Sequence, residues 1–150
     1  MKNRINIFLI LIPSIIMSSI TFSNEKHDLK PHLISSLSIN NYKITVEVAN
    51  SEKLRTQGLM FRKSIKSNQG MLFVYKSSEL HCMWMKNTQI PLSVAFIDKN
   101  HKIISILAMK PFDETPRCSR KPAKFALEMN SGWFKRNKIL PGQTVYGINN

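Results

Sequence analysis

The sequence predicts an α+β fold, a single β-rich domain in which a mixed or antiparallel sheet closes toward a barrel or sandwich and carries two short helices. Three observations predict it. The segment Tyr42-Lys43-Ile44-Thr45-Val46-Glu47-Val48 alternates apolar with polar side chains at period two, the mark of a half-buried strand. The later apolar runs, such as Met71 to Tyr75 and Leu92 to Ile97, are too short for globular helices and rich in aromatic and branched residues. Between them lie Asn40-Asn41, Ser67 to Gly70, Asp98 to Asn100 and Leu140 to Gln143, residues that reverse a chain.

Residues 24–35 are polar, contain Pro31 and show no period, so they read as a linker ahead of a domain spanning 36–150. Leu37 and Ile39 lead through Asn40-Asn41 into the alternating segment as a hairpin, since Asn tolerates the positive φ of a two-residue turn. Ser51 is placed as an N-cap with Glu52 in the first turn, starting a short helix that Gly58 ends. Met71 to Tyr75 is a buried strand and His81 to Met85 the next one. Leu92 to Ile97 and His101 to Met109 pair across the Asp98 turn. Residues 110–123 hold Pro111, Pro116 and Pro122; proline cannot donate to a ladder, so an ordered loop is expected there. Phe125 to Met129 is a strand, Ser131 to Arg136 begins a helix capped by Asn130 or Ser131, and Thr144 to Ile148 closes the sheet.

The first 23 residues have the order of a secretory signal peptide. Lys2 and Arg4 precede an apolar run interrupted by Pro13 and serines, and Thr21 and Ser23 supply small residues before a cut between Ser23 and Asn24. The expected location is periplasmic or secreted; an uncleaved anchor is the other reading and the only membrane attachment expected. Cys82 and Cys118 are the only cysteines, and in an exported chain such a pair is a disulfide candidate, with two free thiols as the alternative. Lys and Arg number 22 against 9 Asp and Glu, a formal charge of +13, and the signal segment removes two of the positive charges. In the cytosol such an excess points to nucleic acid. Outside it, the expected partner is an anionic envelope polymer or glycan rather than nucleic acid, unless the charge is merely dispersed. A monomer is expected.

Most catalytic signatures are missing. No Gly-x-Ser-x-Gly elbow, glycine-rich phosphate cradle, His-x-x-x-His or Cys-x-x-Cys spacing occurs, and His27, His32, His81 and His101 are far apart, so neither a metal nor a cofactor is expected. The chain is organised around Trp84-Met85-Lys86-Asn87-Thr88, a polar knot between apolar runs just before Pro91, joined later by Glu128 and Trp133. Such groups either hold a turn or face a ligand. The candidate binding set is Trp84, Lys86, Asn87, Thr88, Glu128 and Trp133. The two tryptophans offer faces for sugars or cations, or else core aromatics. Asp98 and Glu128 are the carboxylates whose burial would suit acid–base chemistry; the structural alternative makes Asp98 a turn residue and pairs Glu128 with Lys86 or Arg62. Met60, Met71, Met83, Met85, Met109 and Met129 read as core filling in preference to copper ligands. Two functions fit: an exported, non-enzymatic binding or accessory module with a cleft at the knot, or an enzyme acting on envelope glycan or another anionic substrate through a carboxylate acid/base.

The chain also resembles the bacterial and archaeal family known as domain of unknown function 192. The resemblance is carried by Val46-Glu47-Val48-Ala49, Gln57-Gly58-Leu59-Met60-Phe61-Arg62, Gly70-Met71-Leu72-Phe73, Trp84-Met85-Lys86-Asn87-Thr88, Ile90-Pro91-Leu92, Ala95-Phe96-Ile97-Asp98, Ala126-Leu127-Glu128 and Gly132-Trp133-Phe134, in that order. It implies a compact β-rich domain, often behind a signal peptide, and no established reaction or ligand. One departure is Asn137-Lys138, where relatives commonly carry a His-Gly helix end.

Overall fold

The computed structural model describes residues 33–149, so the expected signal peptide, its cleavage point and most of the expected linker lie outside the described residues. Among the described residues, nine strands and two short helices follow in chain order: β1 Leu33–Ile39, β2 Tyr42–Ala49, α1 Glu52–Gln57, β3 Gln69–Glu79, β4 Cys82–Met83, β5 Leu92–Ile97, β6 Ile103–Met109, β7 Arg117–Cys118, β8 Ala123–Asn130, α2 Trp133–Arg136 and β9 Val145–Tyr146. Seven strands form one mixed sheet in the order β6-β5-β8-β3-β2-β1-β9, and β4 pairs with β7 in a small second sheet. Among the described strands only β2 and β3 run parallel, because the chain between them crosses over through α1. The sheet curls into a half-barrel. Its edges approach each other at one end, where Lys102 bridges Thr144 and the Val145 N–H donates to the His101 carbonyl at 2.9 Å.

Local chemistry accounts for the best-defined elements. Asn40 takes a φ of 52° in the two-residue β1–β2 turn. The Ser51 hydroxyl accepts from the Leu54 N–H at 3.3 Å, and Gly58, at φ 49°, ends α1. Strand β5, between β6 and β8, is buried at all six positions because both faces of the sheet are covered there. One face packs Leu37, Val46, Leu72, Phe125 and Leu127 against Trp133 and Phe134 of α2. The other packs Met71, Phe73, Val94, Phe96 and Ala126 under Leu59, Met85 and Ile90.

Four expectations change. β1 begins at Leu33, inside the expected 24–35 linker; Leu33 and Ile34 are exposed, so no buried stripe marked the strand in sequence. The strand expected at His81 to Met85 shrinks to Cys82–Met83 and leaves the main sheet to pair with Arg117–Cys118, in the loop expected to be free of strands. Pro116 and Pro122 bound that loop strand closely and keep it at two residues. Neither Asn130 nor Ser131 caps α2. Asn130 is still in β8, with its amide donating to the carbonyls of Ile65 and Lys66, and the cap is Gly132 at φ 72° without a side-chain hydrogen bond.

Beyond α2, Lys138 adopts a φ of 54°, at the position where the family resemblance leads one to expect glycine. A left-handed backbone burdens a side chain that glycine lacks. Lys138→Gly is therefore expected to stabilise the fold by about 1 kcal/mol, the strain relieved being partly offset by greater freedom in the unfolded chain. Urea unfolding midpoints at constant slope would measure it, and a lower midpoint would contradict it.

Candidate functional site

Glu128 is the unusual residue of the sheet. Phe125, Leu127 and Met129 of β8 face the α2 side, so Ala126 and Glu128 face the other, with Glu128 in register between Met71 of β3 and Val94 of β5. It is only 4 % exposed and, among the described residues, its carboxyl has neither a hydrogen-bond partner nor a counter-ion. Burial pushes its pKa up to about 8. The backbone packs tightly beneath it: a Cβ at Gly70 would run into the carbonyl oxygen of Glu128, so glycine at that β3 position permits the close approach of the two strands.

A cavity of about 180 Å³ lies over this carboxyl. Phe73, Tyr75 and Glu128 form its floor, α1 and the following turn supply Arg55 and Met60, and Met83, Trp84 and Thr88 form the remaining wall beside Cys82. The Tyr75 hydroxyl donates to the Met83 thioether at 3.1 Å, its ring stacks on His81 at 3.5 Å, and the Arg55 guanidinium lies 5.9 Å from its centroid. Burial and, after it, the neighbouring Glu128 raise the Tyr75 pKa, against a smaller lowering by Arg55, so the phenol stays protonated. The pocket therefore offers a neutral carboxylic acid, aromatic faces and thioethers.

The knot is a turn where three loops meet. Its Thr88 N–H donates to the Met85 carbonyl at 3.0 Å, and the Thr88 hydroxyl to the Lys86 carbonyl at 3.0 Å. The Phe61 N–H reaches the Asn87 carbonyl at 2.9 Å, the Phe112 N–H reaches the Thr88 carbonyl at 3.1 Å, and the Met85 N–H donates to Asp113 at 2.9 Å. Phe61, Asn87 and Phe112 all have positive φ, of 64°, 53° and 59°. Met85 and Ile90 are buried and pin the turn to the sheet. A bidentate ion pair between Arg62 and Glu47 of β2 holds the first loop, and hydrogen bonds from Thr115, assisted by Arg117, hold the Asp113 carboxyl of the third down at about 2.

Of the six candidate binding residues, the cavity brings together Trp84, Thr88 and Glu128. Lys86 and Asn87 are exposed on the turn and do not line it. Trp133 is buried on the opposite face, with its indole N–H donating to Asn68 at 3.3 Å and its ring edge-on to Tyr42. The expected Lys86–Glu128 pair is not formed, and Arg62 is paired with Glu47 instead. Asp98 is a turn residue, its carboxylate accepting from the Asn100 and Lys102 N–H groups at 2.8 and 2.9 Å. Sequence reasoning missed Tyr75 and Arg55; the one available signal was a phenol closing an otherwise apolar run. The Cys82–Cys118 disulfide is formed, joining residues directly opposite each other across β4 and β7 with Cα atoms 3.9 Å apart.

A curled mixed sheet with an acid-floored pocket under a three-loop knot defines the class: a small β-rich domain with a recessed carboxyl. The chain belongs to the DUF192 family, described as "Uncharacterized ACR", which it matches over residues 35–147. It is similar to the crystal structure of a candidate transcription regulator from Sinorhizobium meliloti 1021, with 32 % identity, a TM-score of 0.76 and coverage of 78 % of this chain and 95 % of that one. A protein of unknown function from Novosphingobium aromaticivorans DSM 12444 is similar at 29 % identity and a TM-score of 0.69, over 76 % of this chain and 84 % of that one. No curated protein matches the chain significantly.

Proposed function

We propose that the chain is an exported, non-enzymatic cell-envelope binding module whose pocket takes a hydroxylated sugar unit of an anionic glycan. The observation that carries this reading is the buried Glu128 carboxyl, unpartnered among the described residues, beside Tyr75 on the floor of a cavity walled by Trp84. A neutral carboxylic acid both donates and accepts, which suits a hydroxyl group, and a half-exposed indole gives a sugar ring a face to stack on. Anionic groups along the same polymer would meet the basic surface, whose formal excess is +13 for the full chain.

One observation favours the enzyme reading: a carboxyl titrating at about 8 is protonated at neutral pH and competent as a general acid. Glycoside hydrolysis by two carboxylates needs a second one across the bond, and among the described residues Glu128 is the only acidic one lining the cavity. That weighs toward binding. A nucleic-acid role, suggested by the regulator assigned to the Sinorhizobium relative, has less support, because the described helices span six and four residues and neither suits a major groove.

Titration with an oligogalacturonate, its neutral galactose counterpart and duplex DNA, followed by tryptophan emission and calorimetry, tests the reading. Saturable binding of the acidic oligosaccharide is expected, weakened at least about tenfold by Trp84→Ala. Glu128→Gln, which mimics the protonated acid, should bind at neutral pH within a few-fold of wild type and lose the decline in affinity above about pH 8. Shortening of the oligosaccharide by wild type and not by Glu128→Gln would establish the enzyme instead. Binding of DNA alone, or none of the three, overturns the proposal.

A further inference from the structure

The knot presents three large aromatic side chains to solvent, one from each loop: Phe61 is 73 % exposed, Phe112 64 % and Trp84 51 %. Their loops are tied together by the hydrogen bonds from Phe61 to Asn87 and from Phe112 to Thr88, so the tips sit around a single turn. Both phenylalanines are held in left-handed backbone. A bulky residue there is strained, and strain of this kind persists where surroundings impose it, commonly at ligand clamps. Exposed phenylalanine gains nothing in water, so neither the fold nor solubility accounts for two of them at strained tips.

Each aromatic also has an exposed lysine two positions away: Lys63 after Phe61, Lys86 after Trp84, and Lys110 before Phe112. Arg62 is engaged by Glu47 and Asp113 by Arg117, which leaves Glu114 as the exposed carboxylate among these loops. Aromatic tips flanked by free ammonium groups match a bilayer interface, where rings enter the headgroup–acyl boundary and lysines remain at the phosphate level.

From this juxtaposition we propose that the Phe61–Trp84–Phe112 crown docks the protein onto an anionic lipid bilayer. Trp84 is shared with the pocket wall, so docking would turn the cavity mouth toward the membrane surface. A uronate polymer could engage the same lysines, but it offers no apolar phase for two exposed phenyl rings; the lipid surface uses both features. The proposal concerns a different surface from the Glu128 floor and stands or falls separately from the sugar reading.

Co-sedimentation of the naturally processed chain with phosphatidylglycerol-containing and pure phosphatidylcholine vesicles tests it, together with tryptophan emission in vesicles bearing brominated acyl chains. Expected are binding to the anionic vesicles only, weakened by salt, and quenching of Trp84 by the bromines. The double variant Phe61→Gly/Phe112→Gly relieves the left-handed strain, so its melting temperature should be unchanged or higher while vesicle affinity falls at least about tenfold. Lys63→Gln/Lys86→Gln/Lys110→Gln should abolish the preference for anionic lipid. Glu128→Gln should leave vesicle binding unchanged, which separates this surface from the pocket. Equal sedimentation of wild type and the glycine variant, equal binding to zwitterionic vesicles, or loss of oligogalacturonate affinity in the glycine variant without any vesicle binding by wild type overturns the proposal.

Discussion

Glu128→Gln is expected to make the protein markedly more stable at pH 8 and nearly unchanged in stability near pH 4. The carboxyl titrates at about 8 in the folded chain against an ordinary value of 4.5, because burial opposes its charge. Its folded pKa is raised, so the folded state holds its proton while the unfolded state releases it. The contribution to stability is complete below about pH 4.5, declines as the unfolded chain ionises, and is lost as pH rises through about 8. A shift of that size corresponds to something on the order of 4–5 kcal/mol. Glutamine titrates over none of this range and escapes the decline. For a domain of this length the difference at pH 8 amounts to roughly 15 °C in melting temperature. Calorimetric scans of both proteins from pH 4 to pH 9 would measure it; parallel curves would mean that Glu128 ionises freely or finds a partner. An acid that destabilises the fold throughout the neutral range serves no packing purpose, and its place on a cavity floor fits the binding role proposed above.

How much of this was legible in sequence follows from how local each determinant is. Ser51 and Gly58 announced α1 because a cap and a helix stop are made within a few residues. Strands β2, β5 and β8 were visible through period or apolar length, and the Asp98 turn through its own chemistry. Strand β7 was not, and β4 was read only as a longer strand of the main sheet, since a two-residue pairing across 36 positions leaves no period and is defined by its partner. The same argument divides the candidate site. Trp84, Thr88 and Glu128 converge because β8 sets Glu128 on the face that the knot covers. Trp133 lies one turn beyond the end of β8, and packing of α2 against the opposite face carried it away. Lys86 was expected to meet Glu128 because both lie near strand ends. In the fold, the turn that Asn87 makes at positive φ leaves Lys86 in solvent, and burial rather than pairing governs the acid. Tyr75 stayed hidden because an all-apolar run does not reveal which of its residues face a cavity.

Removing the disulfide with Cys82→Ser/Cys118→Ser is expected to cost roughly 3–4 kcal/mol, the chain-entropy value for closing a loop across 36 positions. That is a large share of the ~5–15 kcal/mol that holds a small domain together, and it corresponds to a melting temperature lower by about 10–15 °C. The loss should also be directional. Beyond its covalent bridge, β4 is held to β7 by a two-residue ladder, the Ser119 N–H to the His81 carbonyl at 2.8 Å, and the His81 N–H to the Ser119 hydroxyl at 3.1 Å. Met83 and Trp84, which follow Cys82 directly, form a wall of the cavity, and Tyr75 depends on Met83 for its hydroxyl contact. Without the bridge this wall should open before the seven-stranded sheet does. Amide exchange is therefore expected to accelerate from residue 80 to 88 and from 113 to 119 at temperatures where β3, β5 and β8 remain protected. A melting temperature within about 3 °C of wild type, which is under 1 kcal/mol for a domain of this length, or uniform exchange across the sheet, would show that the two-residue ladder suffices. A selective opening at the knot would show that the bridge's main task is to hold Trp84 over Glu128.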